Sequence, residues 1–142
     1  MTTSGVIATT RIVCISCLVF VSFLLGFTKL TSLGAQDAHD LWVRQFENNY
    51  APKLNEALSA AKVPLRLSHE ALRLGVGCTE VACGVALAAG SKIAALALTL
   101  LLIGLCGAIH HSDPTDSAGL VFPGVMTIMC VFVAVSAGKK MR

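Results

Sequence analysis

Four apolar runs, each stopped by a charged or imidazole side chain, leave this 142-residue chain few ways to fold in water. Residues 12–28 lie between Arg11 and Lys29, 74–90 between Arg73 and Lys92, 93–109 end at His110 and 120–138 end at Lys139. Each run holds 17 to 19 residues, the short end of what crosses a bilayer, and Arg11, Lys29, Arg73 and Lys92 are expected to snorkel to the interface and lengthen it. With 55% hydrophobic residues, 13% charged residues and a mean hydropathy of +0.76, the chain lacks the polar surface of a soluble domain. The predicted class is an all-α membrane protein, one membrane domain over residues 1–142 built as a four-transmembrane-helix bundle.

The connections differ in kind. "AAGSK" is so short that spans two and three must form an antiparallel hairpin, whereas "HHSDPTDSAG" makes a polar link to the last span, where Pro123 falls in the first turns and is tolerated. Between spans one and two runs a patterned loop, residues 30–72. Ala38, Trp42, Phe46 and Tyr50 recur every four residues beside Leu41, with Asp37, Asp40, Arg44, Glu47 and Asn48 opposite, so an amphipathic helix is predicted there. Ala51-Pro52 is expected to stop it, and Leu54, Ala57, Leu58 and Ala61 mark a second short helix ending before Pro64. These helices either cap the membrane surface, with Trp42 and Tyr50 as interfacial anchors, or use Trp42 and Phe46 to bind a partner.

A competing reading makes the first run a cleaved signal peptide, but it is longer than a usual signal core, and its loss would leave three spans. Lys139, Lys140 and Arg142 place the C-terminus in the cytosol by the positive-inside rule, although the six cations from Lys29 to Arg73, with Arg44, Lys53, Lys62 and Arg66 between them, argue the other way. "KKMR" also has the form of a dilysine retrieval signal, Lys139 and Lys140, which addresses a protein to the endoplasmic reticulum membrane from a cytosolic tail; two lysines closing a helix would look the same.

Glu80 is the residue that the spans do not explain. It lies roughly 10 Å below Arg73, where an acidic side chain costs about 2.5–3.5 kcal/mol. Gly77, Glu80, Gly84 and Ala88 share one helical stripe, so another backbone can approach closely, and Ala97, Gly104 and Ala108 on the third span form a matching seam. Buried there without a cation, Glu80 would hold a proton and donate a hydrogen bond, and glutamine would replace it well. It is then a staple within the bundle, a site for another protein's transmembrane helix with Gly77 and Gly84, or part of a proton relay.

Other chemistry is thinly supported. The six cysteines, Cys14, Cys17, Cys78, Cys83, Cys106 and Cys130, all fall within apolar runs and read as small core residues rather than a disulfide framework. Cys14 and Cys17 share a face as in thiol oxidoreductases, but the long loop carries no second pair. His110, His111, Asp113 and Asp116 lack the spacing of a metal site, so no metal and no cofactor is expected. No phosphate loop or nucleophile elbow appears, no enzyme activity is indicated, and no basic run points to nucleic acid.

Two patches carry a resemblance. "GFTKLT", Gly26 to Thr31, and "TEVACG", Thr79 to Gly84, resemble the novel acetylcholine receptor chaperone family, a eukaryotic branch of the DoxX-like four-helix membrane proteins. The likeness extends to the loop beginning "LTSLGAQDAHDLW" and to His110 or His111 ahead of Asp113-Pro114; the C-terminal tail is shorter than in the family and the spacing before Asp-Pro differs. The resemblance implies an endoplasmic-reticulum chaperone that promotes folding and assembly of nicotinic acetylcholine receptors, with receptor subunits as partners. The alternative is a DoxX-like membrane subunit of a quinone-linked or small-molecule-handling system.

Overall fold

A computed structural model of the protein describes residues 3–112 and 117–136, and every regular element among them is helical. In order these are α1 (Thr3–Leu30), α2 (Gln36–Gln45), a π-helical turn (Phe46–Tyr50), α3 (Ala51–Ala60), α4 (His69–Ala88), α5 (Lys92–Ser112) and α6 (Ser117–Ser136). The stretches Gly5–Leu30 and His69–Ala88 are long and apolar enough to cross a membrane, and Lys92–Gly107 and Leu120–Ser136 are shorter apolar helical stretches. Lys139 and Lys140, like Asp113, Pro114 and Asp116, lie outside the described residues.

The boundaries follow caps rather than charges. Arg11 lies inside α1, since nothing in "SGVIATTR" breaks a helix. Ser68 accepts a hydrogen bond from the Ala71 N–H at 3.1 Å and starts α4 at His69, and Glu70 in the first turn suits the helix dipole. Gly90, at φ +82°, ends the helix: its N–H bonds the Leu87 carbonyl and the Ser91 N–H bonds the Ala86 carbonyl, both at 2.9 Å. Pro123 sits further inside its helix than the sequence suggested, because α6 begins at Ser117. Its ring removes one backbone donor, and Thr127 turns its hydroxyl back onto the Pro123 carbonyl at 2.8 Å.

The chain divides into two compact units. The first, Met1–Phe23 with Ala82–Arg142, is centred on Leu18, Leu87, Ala95, Leu98, Met126 and Cys130. Its helices turn large apolar side chains outward, among them Phe20, Ile93, Leu100 and Ile128, each at least two-thirds exposed. Cys83 and Cys130 are core residues as expected and Cys14 and Cys106 are half-buried, whereas Cys17 and Cys78 are exposed. Of the expected seam on α5, Gly104 is exposed with open space where a Cβ would stand, whereas Ala97 packs against the core of this unit.

The second unit, Leu24–Val81, contains the loop. Pro52 does not stop the amphipathic helix. The chain instead widens at Phe46–Tyr50, where the Ala51 N–H reaches the Phe46 carbonyl five residues back, and this shifted register carries Pro52 into the first turn of α3, where its missing donor is harmless. Leu41 turns outward, as do Ala57 and Ala61, which narrows the apolar face to Trp42, Phe46, Tyr50, Ala51, Leu54 and Leu58. A closing motif ends α3 with Lys62 at φ +56°, the Lys62 N–H on the Ser59 carbonyl and the Val63 N–H on the Leu58 carbonyl. The segment beyond is gripped by Asn55, whose side-chain amide donates to the Leu67 carbonyl and accepts from the Leu67 N–H, both at 2.9 Å.

Lys62 holds a left-handed conformation that costs a side-chain-bearing residue about 1 kcal/mol. Lys62→Gly is therefore expected to slow amide hydrogen exchange at the C-terminal end of α3 several-fold, and an unchanged rate would show that the conformation carries no strain there.

Candidate functional site

Helix side chains lean toward their own N-terminus, and this direction builds the site. In the unit Leu24–Val81, α1 and α4 run antiparallel. Leu30 and Gly26 both face Gly77, and Gly26 also faces Val81. Lys29, near the C-terminal end of α1, therefore points back into the apolar layer rather than outward, and Glu80 leans toward it from the opposite direction. The two meet. Lys29 Nζ lies 2.8 Å and 3.0 Å from the two carboxylate oxygens of Glu80, with the lysine 2% and the glutamate 4% exposed. The expectation that Lys29 snorkels is overturned, and so is the condition that Glu80 lacks a cation.

The ammonium is enclosed on its other sides. It lies 3.4 Å from the Leu25 carbonyl, one turn back on its own helix, and 4.0 Å from the centroid of the Trp42 ring, a cation–π contact from α2. The carbonyls at the end of α1 also find donors: Thr31 N–H on Phe27, His39 Nδ1 at 2.9 Å from Thr28, and the Arg73 guanidinium on Lys29. Arg73, expected to snorkel, is turned inward by that bond.

The close approach depends on two glycines. A Cβ on Gly26 would stand 2.8 Å from the Val81 side chain and 2.9 Å from the Gly77 carbonyl oxygen, and one on Gly77 would stand 3.1 Å from the Gly26 carbonyl oxygen. Gly77 was singled out in the sequence and Gly26 was not. The signal existed, because Gly26 precedes Lys29 by three residues just as Gly77 precedes Glu80. In the other unit, Gly84 packs against Ser22 and the Phe23 ring at 3.3 Å. The small stripe of α4 is thus met by α1 of the same chain.

The aromatic stripe faces inward as well. Phe46 is 3% exposed, its ring 6.4 Å from Trp42 and 5.0 Å from Tyr50, the latter edge to face. Burial pushes the Tyr50 phenol above its ordinary pKa. Beside α3 an open groove of about 750 Å³ is lined by Glu47, Pro52, Asn55, Arg66 and His69. Cys14 and Cys17 carry free thiols, one half-buried and one exposed. No group of three His, Cys, Asp or Glu side chains gathers among the described residues. No protein-family model, no curated protein and no solved structure matches the chain.

The pair reverses the mutational expectation drawn from sequence. Glu80→Gln leaves a buried ammonium without its counter-charge and should cost about 3–5 kcal/mol. Lys29→Met strands the carboxylate and should cost a similar amount. The double change Lys29→Met with Glu80→Gln should destabilise less than either single one. Denaturant unfolding in detergent measures the cycle, and additive losses would mean that the two side chains do not interact.

Proposed function

We propose that this protein is a four-span membrane protein of the endoplasmic reticulum, its C-terminus cytosolic, that assists folding and assembly of nicotinic acetylcholine receptors. One observation supports this reading above others. The two patches that carry the family resemblance, "GFTKLT" and "TEVACG", are far apart in sequence, yet Gly26 packs on Val81 and Lys29 bonds Glu80 across them. Residues that make the likeness specific are those whose contact is chemically demanding, as a shared structural requirement would produce. The outward apolar side chains of α1, α5 and α6 suit lipid or a client's helix, and a chaperone acting by such contacts needs no reacting group.

Under this reading Glu80, Gly77 and Gly84 serve the chaperone's own packing. A client would then meet the apolar faces or the loop, and Trp42 and Phe46 would take part only when turned out of their present positions.

Co-expression with a nicotinic receptor subunit, scored by surface ligand binding, tests the proposal. The wild-type chain is expected to raise surface receptor several-fold. Gly26→Val, which drives a branched side chain into Val81 and the Gly77 carbonyl, should abolish the effect. Surface binding that does not respond to the wild-type chain contradicts the proposal.

A further inference from the structure

We infer that α2, the π-helical turn and α3 form a hinged strap, latched shut by the Lys29 ammonium on the Trp42 ring and by His39 on the Thr28 carbonyl. Its release uncovers the aromatic stripe Trp42, Phe46 and Tyr50. The inference goes beyond the receptor-assembly reading and does not depend on it.

Helix α2 has no buried residue and no side-chain hydrogen bond at its N-cap, so apolar packing does little to hold it, while the buried Phe46 and Ala51 anchor the strap beyond it. Its attachments are polar and specific: His39 Nδ1 at 2.9 Å from the Thr28 carbonyl, and the Trp42 face 4.0 Å from Lys29 Nζ. A segment held by a few such contacts belongs to the low-stability end of a fold. Positive-φ residues flank the strap. Gly34, at φ +75° with nothing within 4 Å, precedes α2, and Lys62, at φ +56°, follows α3. The Asn55 amide ties α3 to Leu67, the residue before the α4 cap, so the strap opens from its α2 end.

The latch and the ion pair are one object. The ammonium that stacks on Trp42 is held in place by Glu80, so removing the charge removes the Trp42 attachment without touching α2.

Trp42 is the only tryptophan in the chain, so its fluorescence reports the latch directly. The full chain in lipid nanodiscs is compared with Lys29→Met/Glu80→Gln, which removes the cation and leaves no stranded charge, and with His39→Ala, which keeps the pair and opens the second clasp. In both variants acrylamide quenching of Trp42 should rise, and hydrogen exchange across residues 36–60 should accelerate, by roughly tenfold or more in the double variant. Exchange across residues 92–107 should stay unchanged. If the double variant fails to fold, His39→Ala decides by the same readouts. Unchanged quenching and exchange overturn the latch. Equal acceleration at 36–60 and 92–107 also overturns it, because the pair would then hold the whole fold rather than the strap.

Discussion

Two full charges taken out of water set the terms for everything around them in the stretch Leu24–Val81. A buried ammonium and carboxylate each carry a desolvation cost of several kcal/mol, which their attraction offsets only when the geometry is good and the remaining donors are satisfied. Here both carboxylate oxygens are engaged, a backbone carbonyl lies within reach of the ammonium and an aromatic face closes over it. Such a pair adds little to stability compared with apolar residues of the same volume. It acts through what it forbids, since any register of α1 on α4 that separates Lys29 from Glu80 strands a charge. The facing glycines Gly26 and Gly77 let the backbones come close enough for that register, and the ammonium it buries lies against the Trp42 ring.

The helices were legible in the sequence because hydropathy and period reveal which segments are helical. Their ends were less so, because Ser68, Ser91 and Gly90 set boundaries through local hydrogen bonds that charge bracketing ignores. The stripe on α4 was also legible, and Glu80 stood out on it. What escaped was its partner. Lys29 sits at a run's edge, where a lysine ordinarily snorkels, and only the lean of helical side chains toward the N-terminus shows that a lysine at this end of a span points inward. Pro52 misled for a related reason: a proline ends a regular α-helix, but a π-helical turn absorbs it, and no residue type in "FENNY" announces that turn.

The functional reading rests on the coincidence between likeness and contact. Neither short patch would specify a family by itself. In the structure Glu80 lies inside the molecule, bonded to Lys29, and in the proposed reading a client would meet the outward apolar faces.

The most direct test of this account is the distance between the Lys29 side-chain nitrogen and the Glu80 carboxyl carbon in a bilayer. Solid-state dipolar recoupling on protein carrying 15N-lysine and 13C-glutamate measures it, with Lys29→Met as the assignment control. A strong nitrogen–carboxyl coupling that disappears in Lys29→Met is the expected result, matching oxygens at 2.8 and 3.0 Å from the nitrogen. Absence of that coupling in the wild-type chain would mean that Lys29 reaches the interface and Glu80 is held by something else, and the account would fail.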